Sequence, residues 1–222
     1  MYVVGTTSVK PEKELSHHEG YISCCKFIGP TQLVTASGDS TCVLWDIETA
    51  TPKQVFADHG GDAMDAAVNP RDPNMFVSSS CDTTCKVWDI RSGKCTQTFV
   101  GHETDVNTVK FMGNGLAFGS GSDDSSCKLF DLRSYAQVND FQDVTPGLSP
   151  GITSIDFSLS GRVLFAGYDD NSCKGWDTLE ATAESPSFEL DHHKNRVSTV
   201  ALNRSGTALC LGSWDAELTI WA

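Results

Sequence analysis

The sequence predicts an all-β protein built by repetition, on two observations. An aromatic residue recurs with an Asp always six residues upstream: Asp39 before Trp45, Asp82 before Trp88, Asp124 before Phe130, Asp170 before Trp176 and Asp215 before Trp221. The aromatic positions stand 43, 42, 46 and 45 residues apart, the period of a repeat whose unit is one four-stranded propeller blade. Short β-branched and aromatic runs bounded by Gly, Pro, Asn and Asp fill each period, and helical periodicity is nowhere sustained. The expected fold is a WD40-type β-propeller of five repeats of about four strands, either a small closed ring or an incomplete seven-bladed one.

Each unit repeats a turn, an apolar strand, a Gly/Ser-rich turn, a second strand, the Asp turn and the Trp strand. The first places strands at 21–27, 32–36 and 41–47, and the second at 64–68, 75–79 and 84–90 with an outer strand at 95–99. The third takes 106–111, 116–119 and 126–132; the fourth takes 152–157, 162–166 and 172–177. The fifth takes 197–202, 207–211 and 217–221 and has no outer strand of its own. Residues 15–222 form one propeller domain on this reading. Residues 1–14 form a separate N-terminal segment whose strand-like pieces are Tyr2-Val3-Val4 and Ser8-Val9-Lys10. An open ring would expose two apolar blade faces.

Composition narrows the function. Lys plus Arg total 16 against 29 Asp plus Glu, a net charge of −13, which leaves no electrostatic footprint for a phosphate backbone. Nucleic acid is not an expected partner, and no apolar run approaches a membrane span or a secretory leader. Of the nine cysteines, Cys42, Cys85, Cys127 and Cys173 sit three residues after the repeat Asp, where the fifth unit has Leu218. Cys four times and Leu once reads as an inward apolar slot.

Four units carry a His near the start (His18, His59, His102, His193) and a Ser two before the repeat Asp (Ser37, Ser80, Ser122, Ser213). One chain has no use for four catalytic triads, whereas each blade needs its buried polar groups satisfied. A structural His, Ser, Asp and Trp network is therefore expected in every blade but the fourth. That blade has Tyr168 in place of the Ser, and its His is missing too. No enzyme activity, cofactor or metal is expected, because no Cys or carboxylate recurs at zinc-ligand spacing beside His17 or His192.

If the His and Asp turns share one rim, the residues beside them pave one face of the disc. These are Tyr21, Asp62, Asp105 and Arg196 three positions after the His, Met64 and Asn107 two further on, and Asp123, Asp169 and Trp214 just before the repeat Asp. Acids, an Arg, a Met and large aromatics together suit a protein-binding patch.

The wording of the repeats also resembles one family, the beta subunit of heterotrimeric G proteins. The stretches are GYISCCKF at 20–27, SGDSTCVLWDIE at 37–48, QTFVGHETDVN at 97–107, GSDD at 121–124 with CKLFDLR at 127–133, GITS at 151–154 with AGYDD at 166–170, NRVS at 195–198 and GSWD at 212–215. The resemblance implies a seven-bladed propeller that pairs with a gamma subunit, binds a GDP-loaded alpha subunit and releases it to engage effectors. It also implies a cytoplasmic protein held at the inner face of the plasma membrane by a lipidated partner. It assigns alpha and effector contact to Tyr21, Asp62, Met64, Asp105, Asn107, Asp123, Arg196 and Trp214. Against that family, the sequence lacks the N-terminal coiled-coil helix, two blades and the closing strand. The competing expectation is a general WD-repeat adaptor, such as a ubiquitin-ligase substrate receptor or a kinase-anchoring scaffold.

Overall fold

In the computed structural model, which describes residues 12–144, 147, 149–180 and 184–222, the chain folds into five antiparallel sheets. The first blade is β1 (Ile22–Phe27), β2 (Gln32–Ser37), β3 (Cys42–Asp46) and β4 (Thr51–Phe56). The second is β5 (Ala63–Val68), β6 (Met75–Ser80), β7 (Cys85–Asp89) and β8 (Lys94–Phe99). The third is β9 (Val106–Phe111), β10 (Ala117–Ser122), β11 (Ser126–Asp131) and β12 (Ala136–Gln142). The fourth is β13 (Ile152–Phe157), β14 (Val163–Tyr168), β15 (Ser172–Asp177) and β16 (Phe188–Asp191). The fifth has three strands among the described residues, β17 (Val197–Leu202), β18 (Leu209–Ser213) and β19 (Leu218–Trp221).

Every sheet is a meander, so its first strand lies innermost. The inner strands pack in turn, β1 on β5, β5 on β9, β9 on β13 and β13 on β17, and the ring of described residues does not close from β17 back to β1. Each inner strand carries a register shift near its start, as at Ile22/Cys24 and Ala63/Asp65, and such a bulge re-aims the side chains next to it. The residue after each repeat Asp adopts a left-handed backbone: Ser40, Thr83, Ser125, Asn171 and Ala216, at φ 68, 69, 69, 78 and 68°.

The cores lie between blades. Val34, Cys42, Leu44 and Phe56 of the first blade close on Ala63, Ala66, Phe76 and Trp88 of the second. Cys85, Val87 and Phe99 close on Val106, Val109 and Phe118; Cys127 and Phe141 close on Ile152, Ile155 and Trp176. Cys173 meets Val197, Val200 and Leu211. Burying a large aliphatic or aromatic side chain stabilises by roughly 1.5–3 kcal/mol, so adjacent blades hold one another.

Four of the five apolar-slot positions are thus buried cysteines. Leu218, expected inward with them, is instead 65% exposed, because the face of the fifth sheet that corresponds to the Cys slots is uncovered among the described residues. Ile22 and Phe27 of β1 are likewise exposed, whereas their counterparts Val106 and Phe111 are buried.

Three outer strands, β4, β12 and β16, were not located by pattern. They are solvent-facing, polar and in one case interrupted by Pro52, so a period-2 apolar signal is weak there. The second strands β10, β14 and β18 also run further toward the Asp turn than expected. Their Gly and Ser residues read as turn by composition, yet Ser120 and Ser122 are fully buried. Tyr2-Val3-Val4 and Ser8-Val9-Lys10 fall outside the described residues. Residues 12–14 form no strand, and Lys13 anchors on the carbonyls of Ile47 and Glu48.

Candidate protein-binding rim

The polar network is present, but its hydroxyl is not the one the sequence suggested. In the first blade Trp45 Nε1 donates to Thr35 Oγ1 at 2.8 Å, His18 Nε2 lies 2.7 Å from the same hydroxyl, and His18 Nδ1 lies 2.8 Å from Asp39 Oδ2. Trp is donor-only and an ionised Asp acceptor-only, so the indole and the carboxylate fix the two ends of a chain of hydrogen bonds that runs through the hydroxyl and the imidazole. The second blade repeats this with Trp88, Ser78, His59 and Asp82 at 2.8, 2.7 and 2.8 Å. In the third, His102 joins Ser120 at 2.6 Å and Asp124 at 2.8 Å, and Phe130 supplies no donor.

Ser37, Ser80, Ser122 and Ser213 are therefore corrected: each accepts the backbone amide of the Asp two residues on, shaping the turn instead of joining the relay. The relay hydroxyl sits two residues earlier, because strand alternation returns the same face every second residue. In the fifth blade that position is Leu211, and Thr219 on β19 takes over, bonding His193 Nε2 at 3.0 Å and Trp221 Nε1 at 3.1 Å, while His193 Nδ1 lies 2.9 Å from Asp215. The fourth blade uses Tyr168, whose hydroxyl accepts from Trp176 Nε1 at 3.1 Å. There, among the described residues, Asp170 binds its own turn at the amide and hydroxyl of Ser172.

These carboxylates are strongly acidic. Burial alone would raise Asp39, Asp82 and Asp124. Bonds from Thr41 and His18, from Thr84 and the Gly60 amide, and from His102 and Ser126 outweigh it, and bring Asp82 to about 2. At Asp215 the Lys194 amide is the chief cause of the same lowering. Burial also lowers His59, against the pull of Asp82. Because Ser78 and Ser120 are fully buried, the relays of the second and third blades have no open side on which a substrate could meet the hydroxyl. Burial raises the thiols of Cys42 and Cys173 to about 12, which keeps them un-ionised and poor nucleophiles. Among the described residues no group of three His, Cys, Asp or Glu stands where it could hold a metal.

What reaches solvent is the rim beside these turns. Tyr21, just ahead of β1, donates its hydroxyl to Asp62 Oδ2 at 2.9 Å and meets Met64 Sδ at 3.4 Å in the next blade. Partial burial and the bonded Asp62 carboxylate push the Tyr21 phenol up to about 12. Asn107 Nδ2 donates to Asp123 Oδ1 at 2.6 Å and to the Ile152 carbonyl at 3.0 Å across the third blade boundary. Gly151 leaves room for both neighbouring acids, since a Cβ there would lie 2.6 Å from Asp123 Oδ1 and 3.4 Å from Asp169 Oδ2. The guanidinium of Arg196 stacks over the Trp214 ring at 4.7 Å, and Trp214 is 66% exposed.

Contacts join these residues in groups, Tyr21 with Asp62 and Met64, Asn107 with Asp123, and Arg196 with Trp214, each beside the turn of its blade. One neighbour was missed. Cys81 lies among Asp105, Asp62 and Asp123; burial first, then the Asp105 hydrogen bond, raises its thiol to about 12. Its position directly before Asp82, matching Asp123 and Trp214 before their own repeat Asp, was the available signal.

Blades clamped by buried relays and a rim of mixed acids, aromatics and one cation define a WD40-type repeat protein of the β-propeller class. A family model described as "G protein beta WD-40 repeat protein" matches residues 3–222, and the chain belongs to that family. It is similar to the "Guanine nucleotide-binding protein subunit beta" of Arabidopsis thaliana, 43% identical over 97% of this chain and 60% of the relative. The proteins so named in Solanum tuberosum and Zea mays are 45% and 44% identical, over 94% of this chain and 58% of each relative. The chain therefore spans about three fifths of the length of these curated relatives.

Proposed function

We propose that this chain is a non-catalytic, G protein beta-like signalling scaffold that binds an alpha subunit and effectors through the rim. The observation that carries the reading is the pre-organisation of that rim. Tyr21 with Asp62 and Met64, Asn107 with Asp123, and Arg196 with Trp214 are each already held by an intramolecular contact, and side chains fixed before binding lose less entropy on docking. Asp105 and Asp169 complete the surface as charged selectors. A partner so bound presents basic side chains to the acids and an apolar or acidic group to the Arg196–Trp214 stack. A gamma subunit completes the complex and, being lipidated, holds it at the inner face of the plasma membrane. No helix among the described residues is long and apolar enough to cross a membrane.

The experiment is retention of the chain by an immobilised GDP-loaded alpha subunit. Trp214→Ala and Asp105→Ala should each weaken retention about thirtyfold, the roughly 2 kcal/mol of one interface hot spot. Absence of retention, or retention indifferent to both changes, overturns the assignment and leaves the adaptor reading.

A further inference from the structure

The inner strands have a second end. A strand length from the rim, roughly 17 Å at about 3.3 Å per residue, their last residues enclose a cavity of about 380 Å³. Its walls come from successive inner strands: Lys26 and Phe27 end β1, Ala67 and Val68 end β5, Lys110 and Phe111 end β9, and Asp156 and Phe157 end β13. The volume falls in the range of roughly 300–1,000 Å³ typical of small-molecule sites. The cavity touches none of the nine rim residues.

We propose that this cavity binds a small amphipathic carboxylate, its apolar body against Phe27, Pro70 and Leu159 and its head on the ammonium groups of Lys26 and Lys110. The charge of the walls selects the sign. Asp156 accepts the Phe157 amide at Oδ1, 2.8 Å, and the Leu202 amide at Oδ2, 2.9 Å, which commits one acceptor site of each oxygen to the backbone. Lys110 Nζ lies 3.1 Å from Asp156 Oδ1 and keeps further N–H donors for another acceptor, since an ammonium has three. Asp65, the carboxylate that faces Lys26, stands outside the cavity wall and accepts the Ala66 and Val109 amides and the Thr108 hydroxyl. Its charge raises Lys26 against the opposing effect of burial.

Two ammonium groups and one carboxylate therefore line the space, a cationic mouth on a protein of net charge −13. A cationic ligand meets two like charges there. A neutral apolar ligand strips water from ammonium donors without replacing it. The exposed Phe27, Pro70 and Leu159 leave little for a polyphosphate to bond, whereas a monoanion with an apolar body satisfies both these side chains and the donors. The inference does not depend on the identity of the rim's partner.

The test is calorimetric titration of the full chain with decanoate and with 1-decanol, both below the concentrations at which they aggregate. Saturable one-to-one binding of decanoate is expected, with the alcohol at least about tenfold weaker, the size of one lost charge-assisted contact. Lys26→Met and Lys110→Met should each weaken decanoate about fivefold or more, while Trp214→Ala leaves it unchanged. Lys110→Arg retains the charge beside Asp156 and should retain binding, which separates ligand contact from damage to the blade. Non-saturating uptake, equal affinity for acid and alcohol, or indifference to both Lys→Met changes overturns the proposal.

Discussion

Removing the Ser78 hydroxyl tests the relay where its chemistry is most exposed to measurement. Ser78 Oγ receives Trp88 Nε1 at 2.8 Å and lies 2.7 Å from His59 Nε2, with Ser78 fully buried and Trp88 at 1% exposure. Ser78→Ala strands a donor and an acceptor in a dry interior, at about 1–3 kcal/mol for each unsatisfied group. A loss of about 2–4 kcal/mol is expected by urea unfolding followed by far-ultraviolet circular dichroism. Trp88→Phe should be tolerated sterically, because the third blade carries Phe130 at the same place. In the double variant the stranded indole N–H no longer exists, so the two changes should be less than additive by about 1–2 kcal/mol. Ser80→Ala should show no such coupling, since Ser80 bonds the Asp82 amide and the Gly61 carbonyl instead. Additive Ser78 and Trp88 changes, or coupling of Trp88 to Ser80, would refute the relay as drawn.

Acid should destabilise the fold in a defined window. A carboxyl lowered from 3.8 to about 2 in the folded state, as at Asp82, contributes stability that is full above the unfolded value and lost as pH falls through the folded one. That is about 2 kcal/mol, roughly half of it gone by pH 3. His59, lowered from 6.5, adds loss in the same direction as pH falls below that value; a urea midpoint unchanged between pH 7 and pH 3 would contradict both. Gly121→Ala should cost about 1–3 kcal/mol by overpacking, since its Cβ would stand 2.4 Å from Ile152 Cγ2, and a thermal midpoint equal to wild type would argue against so tight a blade boundary. Tyr168→Phe should cost about 1–2 kcal/mol by leaving Trp176 Nε1 without an acceptor, read as a lowered urea midpoint.

The architecture was legible because its signals recur. Five Asp-to-aromatic spacings outvote any one irregular strand, and the four buried cysteines mark the same slot in each complete blade. The outer strands were illegible for the opposite reason: with one side to solvent, Thr51–Phe56 and Phe188–Asp191 have little apolar alternation to display. The relay hydroxyl was misplaced because Ser37, Ser80, Ser122 and Ser213 align more regularly than the residues that do the bonding. Thr35, Ser78 and Ser120 recur only three times, and the fourth and fifth blades recruit Tyr168 and Thr219 from other positions. The rim residues were nominated by spacing to each unit's His and repeat Asp; the pairing of Tyr21 with Asp62 across a blade boundary depends on how neighbouring sheets are set and is written in no local pattern. The cavity at the far end of β1, β9 and β13 is likewise a product of assembly, as its lysines and phenylalanines look ordinary along the chain.

The left-handed residue behind every repeat Asp makes the molecule unusually editable. Ser40, Thr83, Ser125 and Ala216 each hold, without glycine, a conformation that costs an L-residue roughly 1–2 kcal/mol. Their turns are fastened by Asp bonds to the amide two residues on, as at Thr41 and Thr84. Asparagine, which already occupies the site at Asn171, eases that strain through its own local bonding. One small exchange, copied from blade to blade, therefore offers a graded way to stiffen the disc without touching either of its mouths.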